Sequence, residues 1–265
     1  MKRTVLGSVP YLNAKPLVRW FSDTEEGRVS GVRVVEAVPS DLAKMLETGD
    51  VAAALVSSVE LFRAPGLTHA LDIGVVANGP VLSVRMLSKV PISEVRTVAL
   101  DTSSLTSIAL LKILLTERFG LTPIYTPYAP DLPAMLAHCD AALLIGDKGY
   151  REYDPSLHIL DLGEAWRELT GLPFVYALWI GKPEALTPPL CATLLRAKEW
   201  GKAHLPEIAE KEYGPLNETY ARSLRYLTEI MRYDVGEREE AALALFGEKL
   251  RAHDLAKDAE ATNAG

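Results

Sequence analysis

Short apolar runs alternate with stretches of helical spacing from residue 4 to residue 145, and the alternation occurs twice. A chain patterned in this way folds into layered α/β lobes whose parallel strands are largely buried. In the first pass, Thr4 to Val9, Val32 to Ala37 and Val51 to Val56 read as strands, and about Pro16 to Phe21 and Pro39 to Thr48 read as helices. Pro16 stands at a first helical position, where the missing N–H has no partner to lose, and Gly49 stops the second helix. Val51 to Val56 is almost wholly apolar, as a strand covered on both faces must be.

The second pass follows the extended segment Pro80 to Leu87. It comprises predicted strands Thr97 to Leu100, Ile124 to Thr126 and Ala141 to Ile145, with helices Thr106 to Phe119 and Asp131 to His138 between them. Phe174 to Ile180 is a further apolar strand, and the remainder after Pro183 has helical spacing broken at Pro188, Pro189, Pro206 and Pro215. The last dozen residues are expected to fray. The simplest path makes residues 1–87 plus 181–265 one discontinuous lobe and 88–180 the second, with crossovers near Val81 to Ser88 and Phe174 to Ile180. A ligand cleft is expected between the lobes, at strand carboxyl ends where helix N-termini present free N–H groups.

Composition excludes several classes. A net charge of −7 over 265 residues gives no basic field for nucleic acid. No run approaches the roughly 20 apolar residues of a membrane span. Pro10, Asn13, Lys15 and Pro16 interrupt the first apolar stretch before it reaches leader length, so a cytoplasmic location is expected. Cys139 and Cys191 lack metal or disulfide spacing and are expected to be buried thiols. His69, His138, His158, His204 and His253 are not paired at metal-ligand spacing, and no GxSxG, P-loop or GxGxxG fingerprint occurs. Neither a metal nor an organic cofactor is expected.

Three strand-to-helix turns share small hydrogen-bonding side chains: residues 9–13, 56–60 and 101–107. The N-terminus of a helix carries about half a positive charge and several unpaired donors, so such turns hold a carboxylate without a nearby Lys or Arg. The competing role is ordinary capping, and Ser57 with Glu60 has the spacing of a capping box. Asn13, between two prolines, offers a donor and an acceptor to a substrate, or serves as a turn residue. Ser83 lies in the first crossover, where a solvent-facing strand position is the alternative. Asp147 ends an apolar strand and either faces the cleft or caps the next turn. Lys15 and Arg85 are expected mainly at solvated surface.

The same residues carry a resemblance. Gly7 to Leu17 (GSVPYLNAKPL), Val56 to Glu60, Ser104 to Ser107, Leu144 to Asp147 and, most specifically, Asp161 to Trp179 together resemble the menaquinone-biosynthesis chorismate dehydratases. The resemblance spans roughly residues 5 to 180; the helical tail agrees by length and position. It implies the α/β, two-lobed type II periplasmic-binding-protein-like fold with a ligand cleft between the lobes and a helical C-terminal segment. It also implies cofactor-free dehydration of chorismate, a small dicarboxylate, to 3-[(1-carboxyvinyl)oxy]benzoate. Carried over, it implies Asn13 as the catalytic residue and Ser57, Ser83, Ser104, Thr106, Ser107 and Asp147 as substrate contacts, with no nucleic-acid or membrane partner. Trp166, Thr170, Gly171 and Pro173 are assigned to structure. Two alternatives stay open: the sibling 1,4-dihydroxy-6-naphthoate synthase, whose chemistry is expected to need a cleft histidine, and a cytosolic small-anion binder that catalyses nothing.

Overall fold

The computed structural model describes residues 3–103, 105–214 and 219–256. Its first half runs β1 (Thr4–Ser8), α1 (Lys15–Asp23), α2 (Glu25–Val29), β2 (Val32–Glu36), α3 (Pro39–Thr48), β3 (Ala53–Ser57), α4 (Glu60–Arg63) and β4 (Thr68–Ala77). There follow β5 (Val84–Ser88), β6 (Thr97–Asp101), α5 (Thr106–Phe119), β7 (Ile124–Tyr128), α6 (Leu132–His138), β8 (Ala141–Ile145), α7 (Gly146–Tyr150), β9 (His158–Asp161) and α8 (Leu162–Thr170). The chain ends with β10 (Phe174–Gly181), α9 (Pro188–Ala203), α10 (Leu205–Glu212), α11 (Tyr220–Arg225), a π-helical turn at Tyr226–Ile230, β11 (Met231–Arg232) and α12 (Glu237–Ala252).

Among the described residues the strands form a six-stranded sheet, ordered β11-β4-β10-β3-β1-β2, and a five-stranded sheet, ordered β7-β6-β8-β5-β9. β1 is parallel to both neighbours, with Leu6 opposite Val34 and Ala53. β6 holds the same central parallel place in the second sheet, between β7 and β8. Each sheet then accepts antiparallel strands: β10 between β3 and β4, and β5 between β8 and β9.

Several expectations are corrected by these pairings. β5 lies wholly in the second sheet and β10 wholly in the first, so the chain crosses at 78–83 and 171–173, several residues before the places read from sequence. An apolar run shows that a strand is buried, and its ladder partner decides which sheet receives it. β4 was not foreseen: its alternation is broken where Asp72 takes a positive φ of 63°, and its pairing with β10 shifts register. The tail is not helical throughout, because the π turn leads into β11, which pairs with β4. Cys191 is half-buried, unlike Cys139. Lys15 is buried and its Nζ lies 2.6 Å from Glu36, far from the solvated fate expected of it.

One continuous apolar core joins both lobes. Trp166 of α8, Phe174 of β10 and Phe246 of α12 meet edge to face, with centroids 5.1 Å apart for the first pair and 5.0 Å for Phe174 and Phe246. The last helix therefore seals the seam that the second crossing leaves. α9 packs on α1 so closely that a Cβ at Gly201 would lie 1.8 Å from the Pro16 carbonyl oxygen. Gly201→Ala is expected to destabilise the protein by about 1–3 kcal/mol, since backbone has to move to admit the methyl group. Chemical denaturation checks this, and an unchanged midpoint contradicts it.

Two ion clusters tie α9 to the loop before α12, and α5 to the end of α12. Burial pushes both the Asp234 and the Glu117 carboxyls up, but Lys198 and Lys202 around Asp234, and Lys249 and His253 around Glu117, outweigh it and hold each below its ordinary 3.8 and 4.5. A depressed carboxyl contributes stability above its unfolded-state pKa and loses it as pH falls through the folded value. Stability is therefore expected to drop from about pH 4.5 downward, and Glu117→Gln to show a shallower acid limb in thermal melts across that range.

Candidate active site

A narrow cleft lies at the first crossing, with about 60 Å³ of free room between its walls. Val9 and Tyr11 reach it from the loop after β1, and the following 3₁₀ turn, Leu12–Ala14, places Asn13 at its wall. Ser57 comes from the end of β3, Ser83 from the crossing itself, and Thr106 with Ser107 from the first turn of α5. Five of the residues singled out in the sequence thus line one cavity, though they come from four separate segments. Ser104 lies outside the described residues. Asp147 is in the first turn of α7, beside the lining residues Ile145 and Gly146 and not itself in the lining.

The capping alternatives can be judged from the hydrogen bonds. α4 begins without a side-chain cap, so the Ser57–Glu60 spacing is not used as a capping box. Instead the start of α4 is met from the other lobe, where Thr106 Oγ1 accepts from the Val59 N–H at 3.0 Å. α5, fourteen residues long, has no side-chain cap either. Its first-turn N–H groups lack intrahelical acceptors, as in any helix, and here they adjoin the cavity. Asn13 is more than a turn residue: its Nδ2 donates to the Tyr226 hydroxyl at 3.3 Å, and the Ser83 hydroxyl lies 2.6 Å from the same oxygen.

Every described side chain in the lining is uncharged. Arg85, half-buried, donates to the Gly149 and Arg151 carbonyls. No described histidine lines the cleft. Among the described residues no three His, Cys, Asp or Glu side chains gather as a metal site.

Sequence reading missed the tyrosines. Tyr11 and Tyr176 line the cleft, and Tyr226 supports it from 213 positions beyond Asn13 in the chain. Tyr11 stood inside a quoted motif and Tyr176 inside an apolar strand, where an aromatic ring reads as core; nothing local marks Tyr226. Burial is the main cause that lifts all three phenols above their ordinary 10, so each stays protonated at neutral pH, and the charge of Asp147 adds to the rise at Tyr11 and Tyr226. Among the described residues the buried Tyr176 hydroxyl has no hydrogen-bond partner.

The crossings that frame the cleft are both fastened to α8. The Asp161 carboxylate accepts from Val81 N–H (3.0 Å), Leu82 N–H (2.7 Å), Gly163 N–H (3.0 Å) and Glu164 N–H (3.1 Å). It caps the helix and pins the first crossing at once. Trp166 Nε1 donates to the Pro173 carbonyl at 2.9 Å, Thr170 Oγ1 accepts from the Leu172 N–H, and Gly171 takes the left-handed φ of 72° that ends the helix, which together fix the second crossing.

Residues 4–252 match the family described as menaquinone biosynthesis. The chain belongs to that family. Curated relatives include the chorismate dehydratase of Thermus thermophilus, 33% identical over 269 residues that cover 94% of this chain and 96% of the relative. The chorismate dehydratase of Campylobacter jejuni is 29% identical over 257 residues, 95% of this chain and all of that one. Among solved structures, the alkanesulfonate-binding protein of Xanthomonas axonopodis pv. citri, bound to MOPS, superposes with a TM-score of 0.71 at 14% identity, covering 97% of this chain and 95% of that one. The fold of the family member described here is thus the two-lobed periplasmic-binding-protein-like α/β fold anticipated from its sequence.

Asp161→Ala leaves four N–H groups without their acceptor, and the two buried ones, at Val81 and Gly163, cost about 1–3 kcal/mol each. The variant is expected to melt well below the wild type and to show fast amide exchange at Val81 and Leu82. Native-like protection at these two residues would contradict the fastening role.

Proposed function

We propose that this protein is a chorismate dehydratase, converting chorismate to 3-[(1-carboxyvinyl)oxy]benzoate and water in the futalosine route to menaquinone, in the cytoplasm. The observation that carries the reading is a cleft of neutral hydroxyl, amide and N–H donors in a near full-length relative of two chorismate dehydratases. A dicarboxylate needs donors more than it needs lysines, because a helix N-terminus in a partly dry site stabilises an anion strongly.

In the proposed reaction, the ring carbon bearing the enolpyruvyl ether loses a proton and its neighbour loses hydroxide, so that the two leave as water. The diene becomes a benzene ring, and this makes the step favourable. The protein then has mainly to orient the ring and stabilise developing charge. We assign one carboxylate to the first turn of α5, at Thr106 and Ser107, with Ser57 beside it, and keep Ser104 as a contact on the family resemblance alone. Asn13 and Ser83 hold the reacting ring, and Asp147 stands behind the lining in the first turn of α7. With no histidine in the lining, the substrate's own enolpyruvyl carboxylate serves as the base. The lobes, the second built on the sheet of β5 to β9, close over the ligand.

Purified protein incubated with chorismate is expected to yield a product lighter by one water, with a benzoate absorption spectrum, faster than a protein-free blank. Asn13→Ala is expected to lower kcat on the order of 100-fold, the usual loss for one preorganised donor. An analogue without the enolpyruvyl carboxylate should not turn over at saturation, and a near-normal rate would remove the substrate-base step. Thermal stabilisation by chorismate without turnover would leave a binding protein in place of an enzyme.

A further inference from the structure

Asn13 and Ser83 converge on one atom, the Tyr226 hydroxyl oxygen. An amide nitrogen can only donate, so the contact at 3.3 Å fixes the phenol oxygen as acceptor toward Asn13. Toward Ser83, at 2.6 Å, either hydroxyl could supply the proton. If Ser83 supplied it, the phenol oxygen would accept twice and the phenol proton would need another acceptor. Among the described residues the Tyr226 hydroxyl has no third hydrogen-bond partner, and the residue is 2% exposed, so that proton would be stranded without an acceptor. The phenol proton therefore goes to Ser83 Oγ. Ser83 is itself 1% exposed and lines the cleft, which leaves its proton directed at whatever fills the cavity.

On the reading of the cleft as a chorismate site, we infer that Tyr226 is a positioning residue: it closes a one-way relay from the Asn13 N–H through the Tyr226 O–H to the Ser83 O–H, which donates to a substrate oxygen.

The surroundings hold the relay in this sense. Tyr226 opens the π-helical turn, a distortion found often at functional sites. Its ring lies against Tyr150, centroids 4.7 Å apart, and the Tyr150 hydroxyl donates to the Arg222 carbonyl at 2.9 Å. Arg222 in turn covers the Tyr150 ring and reaches Glu152 at 2.7 Å. The C-terminal segment thus anchors the tyrosine on the second lobe while its hydroxyl serves Asn13 of the first. Hydrogen bonds in a chain polarise one another, so Ser83 donates more strongly than an isolated serine.

A double-mutant cycle tests this. Tyr226→Phe keeps the ring and is expected to lower kcat about tenfold with KM within about twofold, as for one lost hydrogen bond felt in the transition state. In a Ser83→Ala background the same change should alter kcat by less than about twofold, because the relay already ends short of the substrate. Another tenfold loss in that background, or an unchanged kcat in the single variant, overturns the proposal. The relay is also read without substrate: the Asn13 side-chain amide protons should exchange slowly in the wild type and quickly in Tyr226→Phe, and equal rates overturn it. If the wild type does not dehydrate chorismate, the function falls and the exchange measurement alone decides the relay.

Discussion

Both crossings between the sheets are tied to one short helix, and the cleft exists because of that tie. Asp161, at the start of α8, takes two N–H groups from the first crossing and two from its own helix. Five residues later Trp166 holds the second crossing through the Pro173 carbonyl while its ring packs on Phe174 and Phe246. A carboxylate with both oxygens occupied cannot drift, and a buried indole cannot rotate. The crossing that bears Ser83 is therefore held in register with β3, α5 and the loop after β1, which supply the other walls. The stretch from Asp161 to Trp179 that most marks the family in sequence acts mainly as this fastener.

Charge is kept out of the cleft and used elsewhere. Lys15 is neutralised by Glu36, and Arg85 is taken up by two backbone carbonyls, so neither competes for a substrate carboxylate. A separate basic groove runs beside β2, lined by Arg3, Lys15, Arg19, Arg28 and Arg33, and it is open to solvent. Screening weakens such a surface field within about 10 Å at ordinary salt, whereas dipoles in a partly enclosed cavity keep their strength. The neutral cavity is the better place to bind a dianion in one orientation.

Much of this was legible in the sequence where the cause is local. The helix Thr106–Phe119, the helix Pro39–Thr48 with its left-handed Gly49, and the strand Ala141–Ile145 follow from period, cap and composition, and the structure reproduces their limits. Asn13, Ser57, Ser83, Thr106 and Ser107 could be singled out because small polar residues at strand ends stand out against apolar surroundings. What stayed hidden depends on distant partners. The sheets that accept β5 and β10 are chosen by ladders with remote strands, the irregular β4 is stabilised by β10 and β11, and Tyr226 gains its role only when the tail returns to Asn13. Lys15 misled because a lysine early in an amphipathic helix looks solvated until Glu36 is seen beside it.

The account stands on where a dicarboxylate sits. A crystal structure of the protein with 3-[(1-carboxyvinyl)oxy]benzoate measures this directly. One carboxylate is expected within hydrogen-bond distance of the first-turn N–H groups of α5 at Thr106 and Ser107, with the ring beside Asn13 and Ser83. A ligand found in the basic groove along β2, with the cleft at the first crossing empty, would contradict the account.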